Sequence, residues 1–163
     1  MKKFSFALSF LLLFSAANAQ DASKDDIAIV QSAFGKDKGE LIKQYMAVPA
    51  DKAAAFTAVY EKYEEARRAI GRKKLALIQD YANAYTALDD KKTDKLFKRK
   101  IALADEFSAL QKKYYPEVTK VLGAGQAGKF FQLEDYINNV INLAIQENIP
   151  FIDELNDSKP TKQ

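Results

Sequence analysis

The chain has 163 residues, with 25 Lys and Arg against 22 Asp and Glu, and it contains neither His nor Cys. These absences exclude disulfides, Cys or His nucleophiles, Ser-His-Asp triads and every zinc or copper site that needs imidazole or thiolate. We therefore expect no cofactor, no metal site and no enzymatic activity. An oxygen-only Ca²⁺ or Mg²⁺ site and an exported enzyme that uses carboxylates alone are the alternatives that stay open.

The first 19 residues have the pattern of a secretory signal peptide. Lys2 and Lys3 precede an apolar run over residues 4–14, and an A-x-A cleavage site ends at Ala19. We predict cleavage after Ala19 and export to the periplasm. Loss of the two lysines leaves 23 basic against 22 acidic residues, so global attraction to nucleic acid is not indicated. No later stretch is apolar enough to predict an integral membrane segment.

Residues 20–152 are predicted to form a single all-helical domain, followed by a flexible C-terminal tail over residues 153–163. The first short helix carries apolar residues between positions 27 and 34, and Gly35 suits the position after a helix end. A second short helix is predicted over residues 40–46.

The central prediction is a long amphipathic helix from Pro49 to Asp89, in which apolar residues recur at three- and four-residue spacing. A third major helix is predicted over residues 94–122, with Thr93 as its cap and Pro116 as a kink or a break. Because the connection between the two helices is short, we expect them to form an antiparallel hairpin.

Two details of this hairpin follow from the pattern. Gly71 is a poor helix residue, so it predicts a bend or a close contact. Folding the chain about residues 90–91 places Tyr63 near Val118, and the apolar pattern of the third helix includes Phe97 and Ile101.

A fourth helix is predicted from Gln126 to Asn148, after a break at Gly123 and Gly125. These glycines and Gly128 match the spacing of the dinucleotide-binding fingerprint, but no strand precedes them, so we interpret them as a helix end. The apolar surface of this helix is broad, which predicts a partner or dimer interface. Its residues are Phe130, Phe131, Tyr136, Val140 and Ile141.

A basic cluster in the middle of the hairpin is the predicted client-binding site. It consists of Arg67, Arg68, Arg72, Lys73, Lys74, Lys112 and Lys113. The purely structural interpretation is a solvated face held by salt bridges, such as Glu64 with Arg68, or Asp105 and Glu106 with Lys73 and Lys74 across the hairpin. The functional interpretation is a positively charged cradle for acidic or unfolded proteins.

The segment from Val121 to Phe130 resembles the second signature of the Spy/CpxP-like periplasmic family, L-T-x-x-Q at a helix start. Leu122 and Gln126 match that signature, whereas Gly123 stands in place of the Thr, and residues 48–52 keep nothing of the first signature. The likeness covers the general layout of the mature chain. It implies a cradle-shaped, all-helical homodimer that binds unfolded proteins without ATP, or restrains an envelope-stress sensor.

The chain also looks like an uncharacterised group of exported bacterial helical proteins, through residues 56–63 and 129–134, and this likeness brings no function with it. Our leading hypothesis is an ATP-independent periplasmic chaperone or stress-response adaptor that binds unfolded or acidic clients. The alternative is a structural or signalling subunit that docks one dedicated envelope protein through its apolar last helix.

Overall fold

The computed structural model describes Ala33 and residues 35–152. Helices α1 (Lys38–Met46), α2 (Ala50–Ala84), α3 (Asp90–Leu122) and α4 (Ala124–Glu147), with a 3-10 turn at Tyr85–Ala87, make up its regular structure. Since these residues contain no strand, the all-α prediction is confirmed. The predicted signal peptide, most of the predicted first helix and the predicted C-terminal tail lie outside the described residues. In the part that is described, no helix combines the length and apolar character needed to cross a membrane.

The ends of the two long helices differ from the predicted ones. Helix α2 begins after Pro49 as expected, but it gives way to the 3-10 turn at Tyr85, short of Asp89. Helix α3 begins earlier than predicted, because Asp89 caps it: Asp89 Oδ1 accepts a hydrogen bond from the backbone N–H of Lys92 at 2.8 Å. The predicted Thr93 cap is therefore wrong. Pro116 lies inside one continuous helix and does not split it.

Helices α2 and α3 pack side by side in opposite directions. The rings of Tyr63 and Tyr114 meet edge to face with centroids 5.6 Å apart. Farther along, Arg99 Nη1 lies 2.5 Å from Asp80 Oδ2. The ring contact of Tyr63 is thus one helical turn away from Val118, the residue with which the sequence pairs it.

Helix α4 runs alongside α2 in the same direction. Phe130 contacts Phe56 near the start of α2, with ring centroids 5.6 Å apart, and the Tyr81 hydroxyl near the end of α2 donates to the carbonyl of Pro150 at 2.8 Å. Helix α1 crosses back along α4, where Lys129 Nζ lies 4.8 Å from the Tyr45 ring centroid. The result is a bundle of three long helices with α1 packed against one end.

The core lies at the end of the bundle that α1 covers. Its centre consists of aromatic and aliphatic side chains from all four helices, chiefly Met46, Tyr63, Val118, Phe130 and Ile137. No described residue of α2 after Glu64, and none of α3 before Leu110, is buried. The distal half of the α2–α3 pair therefore carries only partly buried contacts.

The face of α3 that packs inward also differs from the prediction. Phe97 and Ile101 are 49% and 59% exposed instead of contributing to a core. Helix α3 carries more apolar residues than one face can hold. The face through Leu110, Tyr114 and Val118 packs against the other helices. Phe97 and Ile101 are therefore left on the outside of α3.

Candidate binding surfaces

A buried ionic network joins α1, α2 and α4. Lys38 Nζ lies 2.6 Å from Glu64 Oε2 and 2.8 Å from Glu134 Oε2. The Tyr63 hydroxyl donates to the same oxygen of Glu134 at 3.0 Å. Glu134 is 1% exposed, and its other oxygen, Oε1, has no hydrogen-bond partner among the described residues. Because a buried carboxylate is costly unless it is paired, this network depends on the position of α1.

Glu64 is the best compensated member of the network. Arg67 holds it through two hydrogen bonds, Nε to Oε2 and Nη2 to Oε1, each 3.0 Å long. Burial by itself raises the pKa of Glu64, but the charge of Lys38 and the hydrogen bond from Arg67 outweigh it and lower the pKa to about 2. Burial, reinforced by the charge of Glu134 and the hydrogen bond to it, raises the pKa of Tyr63 well above its usual range. Glu64 is therefore ionised throughout the neutral range, and the Tyr63 hydroxyl keeps its proton there.

The predicted basic cluster is spread over several faces of α2. Arg67 is turned inward to Glu64, and Arg68 Nε reaches the same carboxylate at 3.3 Å. Lys73 Nζ lies 2.6 Å from Glu106 Oε2 on α3, and Lys74 donates to Asn142 on α4. Of the salt bridges proposed by the structural interpretation, Glu64 with Arg68 and Glu106 with Lys73 are present, whereas Asp105 forms no ion pair among the described residues.

Three members of that cluster remain exposed to solvent without an ion pair among the described residues. Arg72 lies on α2, and Lys112 and Lys113 lie on α3, where Lys113 Nζ is 5.1 Å from the ring centroid of Tyr114. Their role in client binding stays a prediction. Four of the seven basic residues already form ion pairs or hydrogen bonds within the chain.

The predicted partner interface on α4 is largely used inside the molecule. Phe130, Phe131 and Ile141 are buried in the core, and Val140 is half-buried. Tyr136 is the exception, at 57% exposed. Leu143 lies two turns away from Tyr136 and is also exposed. Helix α4 therefore presents to solvent an apolar strip that is narrower than the predicted interface.

A second exposed apolar strip lies on the distal half of α3. We call it the outer stripe, and it consists of Phe97, Ile101, Ala104 and Ser108, all exposed. These residues are spaced four, three and four positions apart, which places them on one face of the helix and matches the seam of a coiled coil. The outer stripe ends where α4 approaches α3, at the hydrogen bond from Gln111 to Asp135 of 2.5 Å.

The surroundings of the outer stripe are basic. Residues 90–101 contain six Lys and Arg against two Asp. Three lysines occupy the positions that border a heptad seam, Lys91, Lys98 and Lys100, and we call them the flanking lysines. Lys100 Nζ lies 5.4 Å from the ring centroid of Phe97, and Lys98 forms an exposed 2.6 Å ion pair with Asp94. A shallow depression beside the stripe is lined by Lys91, Asp94, Lys95, Lys98, Arg99 and Ala102.

Comparisons with known proteins add no assignment: no family model matches the chain, and no curated protein or solved structure does either. Among the described residues, no group of three or more Asp and Glu is placed to hold a metal ion.

Sequence reasoning missed both the ionic network and the outer stripe. One available signal was the position of Glu134, four residues after Phe130 and three before Ile137, which puts a carboxylate on the apolar face of α4. A charge on such a face indicates a buried partner. The outer stripe was hidden because its aromatic and aliphatic residues were counted with the core-facing ones.

Proposed function

We propose that the protein is an exported binding protein of the Gram-negative periplasm, which holds unfolded or acidic segments of other proteins without ATP. In this role it is a Spy/CpxP-like chaperone or envelope-stress adaptor. The observation that supports the proposal is the set of large apolar side chains that the described residues leave exposed. These are Tyr45, Phe97, Ile101, Tyr115, Tyr136, Leu143, Phe151 and Ile152.

Single exposed apolar residues are ordinary on soluble proteins, but several of these occur in groups. Phe97 and Ile101 lie one turn apart on α3, and Phe151 and Ile152 are neighbours after α4. Apolar groups beside basic side chains suit segments that are both apolar and acidic. Charge then speeds the capture of a client, and apolar contact slows its release.

The finer architecture that we propose is Spy/CpxP-like as well: a hairpin of α2 and α3 that is bent near Gly71 and acts as a homodimer. The antiparallel packing of α2 on α3 agrees with this layout. The Gly123 position agrees with it less well, since α4 begins there without a side-chain cap where the family carries Thr.

The test is the aggregation of a reduced, unfolding protein, followed with and without the mature chain, in the absence of ATP and at low and high salt. We expect suppression that weakens with salt, because exposed charges are screened within about 10 Å at 0.1 M salt. No suppression at either salt concentration would refute the chaperone form of the proposal.

Variants test the part played by the exposed members of the basic cluster. Replacing Arg72, Lys112 and Lys113 with Ser should slow the capture of the client and leave the helix content unchanged. The matched control replaces three exposed lysines elsewhere, Lys43, Lys62 and Lys120, and so removes the same charge. Arg67 is left in place, because its side chain is largely buried against Glu64 and its loss would test stability instead.

The second candidate function is a subunit that docks one dedicated envelope protein through α4. The exposed strip that contains Tyr136 and Leu143 favours it. A pull-down from an envelope extract would then return one protein in stoichiometric amount, and the Leu143→Ser variant would lose it. A broad mixture of unfolded proteins would favour the chaperone.

A further inference from the structure

We propose that the outer stripe of α3 docks an amphipathic helical segment of a client protein, one whose apolar seam is flanked by acidic residues. This inference rests on the proposed function and names the surface that carries it. It assigns client docking to Phe97, Ile101 and the flanking lysines, a surface additional to the basic cluster predicted at Arg67 to Lys74.

The shape of the stripe fits a helix. Its four residues follow heptad spacing, so a second helix laid along α3 meets one side chain at each turn. Phe97 and Ile101 are large and exposed, whereas Ala104 and Ser108 are small. At Ala104 and Ser108 a partner helix can approach α3 closely, and the partner's own large apolar side chains fit there. At the other end of the stripe, the partner accommodates the side chains of Phe97 and Ile101.

The lysines beside the stripe favour a partner helix with acidic residues on both sides of its apolar seam. Lys91 and Lys98 border one edge of the seam, and Lys100 borders the other. Lys91 and Lys100 form no ion pair among the described residues, and the ion pair of Lys98 with Asp94 is exposed and therefore weak. Acidic side chains on both flanks of the partner would meet these lysines, while basic flanks would be repelled.

Two other occupants fit this surface less well. A bilayer with anionic lipids would meet the same lysines, but the stripe offers only two large apolar side chains, Phe97 and Ile101, for insertion. A second copy of this face would bring the acid Asp105 to the flanking lysines, but it would bring the same lysines with it. An acidic amphipathic helix instead meets three lysines against one acid, Asp105, at the positions that border the seam.

The experiment measures the binding of two labelled peptides to the mature chain by fluorescence anisotropy at low salt. Both peptides carry Leu at three- and four-residue spacing; one has Glu at the flanking positions and the other has Lys. Two variants probe the surface: Phe97→Ser with Ile101→Ser, and Ser in place of all three flanking lysines. The control again carries Ser at Lys43, Lys62 and Lys120, and far-ultraviolet circular dichroism checks that each variant folds.

We expect the Glu peptide to bind at least about tenfold more tightly than the Lys peptide. Each surface variant should bind the Glu peptide about tenfold or more weakly than the wild type, because two apolar side chains or three charges are lost. The control variant should bind it like the wild type. Equal binding of the two peptides, or binding that the surface variants leave unchanged, would overturn the inference.

The other occupants give different results. Binding to phosphatidylglycerol vesicles that needs the same residues, without binding of the Glu peptide, would assign the surface to a membrane and overturn the inference. A dimer in sedimentation that only the Phe97→Ser with Ile101→Ser variant abolishes, again without peptide binding, would assign it to a second copy.

The aggregation assay separates this inference from the proposed function. If the wild type suppresses aggregation and both surface variants do so equally well, the inference fails and the chaperone function stands. If the wild type does not suppress aggregation but binds the Glu peptide through the stripe, the chaperone function fails and the docking surface stands.

Discussion

Lys38 links α1 to α2 and α4 through charge, and Ile42 and Met46 of the same helix are buried in the core. The Lys38 ammonium lies between Glu64 of α2 and Glu134 of α4, and each of these carboxylates is at least nine-tenths buried. Taking one partner away from a buried ion pair costs about 3–5 kcal/mol, since the other charge is left uncompensated. Arg67 gives Glu64 a second cation, whereas Glu134 has Lys38 and the Tyr63 hydroxyl. The network therefore helps to order α1 on the bundle.

The depressed pKa of Glu64 predicts that it stabilises the fold down to acid pH. A carboxylate whose pKa falls from 4.5 to about 2 on folding contributes its full stabilisation above its unfolded pKa and loses it as the pH falls toward 2. The contribution of such a shift is about 3 kcal/mol. We expect Glu64→Gln to be less stable than the wild type near pH 7, with a difference that shrinks between pH 5 and pH 2.

Urea unfolding at a series of pH values measures this difference in the free energy of unfolding. The matched control is Glu61→Gln, which changes an exposed carboxylate on the same helix. A gap between the wild type and Glu64→Gln that stays constant from pH 7 to pH 2 would contradict the assigned pKa.

At the scale of helices, the start of α3 shows how a cap competes with the apolar pattern. Asp89 has an extended backbone and accepts from the Lys92 N–H, whereas Thr93 lies within the first turns of the helix. Since a carboxylate cap satisfies one of the free N–H groups of the first turn, α3 begins four residues before the position that Thr93 predicts.

We expect Asp89→Ala to lower the free energy of unfolding by about 1 kcal/mol, and Thr93→Ala to change it little. Thermal and urea unfolding of the two variants against the wild type measure the difference. The opposite order, with Thr93→Ala the more destabilised, would show that the helix is capped at Thr93.

The helices and the antiparallel pairing of α2 with α3 were largely predictable from the sequence, whereas the position of α4 and the inward face of α3 were not. Apolar spacing and the positions of Pro49 and Gly123 predict all four described helices to within a few residues. The spacing cannot decide which of two apolar faces on α3 packs inward, because both have helical period. That choice depends on where α4 lies, so the outer stripe and the Glu134 network needed the structure.

At the scale of the whole molecule, packing is uneven along the bundle. The buried side chains of α2 and α3 lie at the end near α1, in α2 up to Glu64 and in α3 from Leu110 onward. The distal half is held by half-buried apolar side chains such as Leu77 and Leu103, and by exposed ion pairs such as Lys73 with Glu106. Ion pairs of this kind contribute about 0–1 kcal/mol each, far less than buried side chains do.

This gradient predicts that the distal half opens separately. Backbone amides in residues 75–84 and 90–103 should exchange with solvent through local opening, with protection at least about tenfold lower than that of residues 56–66 and 110–122. Native-state hydrogen exchange measures this, and repeating it at two protein concentrations removes any contribution from self-association. The outer stripe lies in the half that opens more easily, so it can adjust its side chains to different partners at low cost. Uniform protection along α2 and α3 would instead indicate a rigid rod, which could bind only partners that fit its fixed shape.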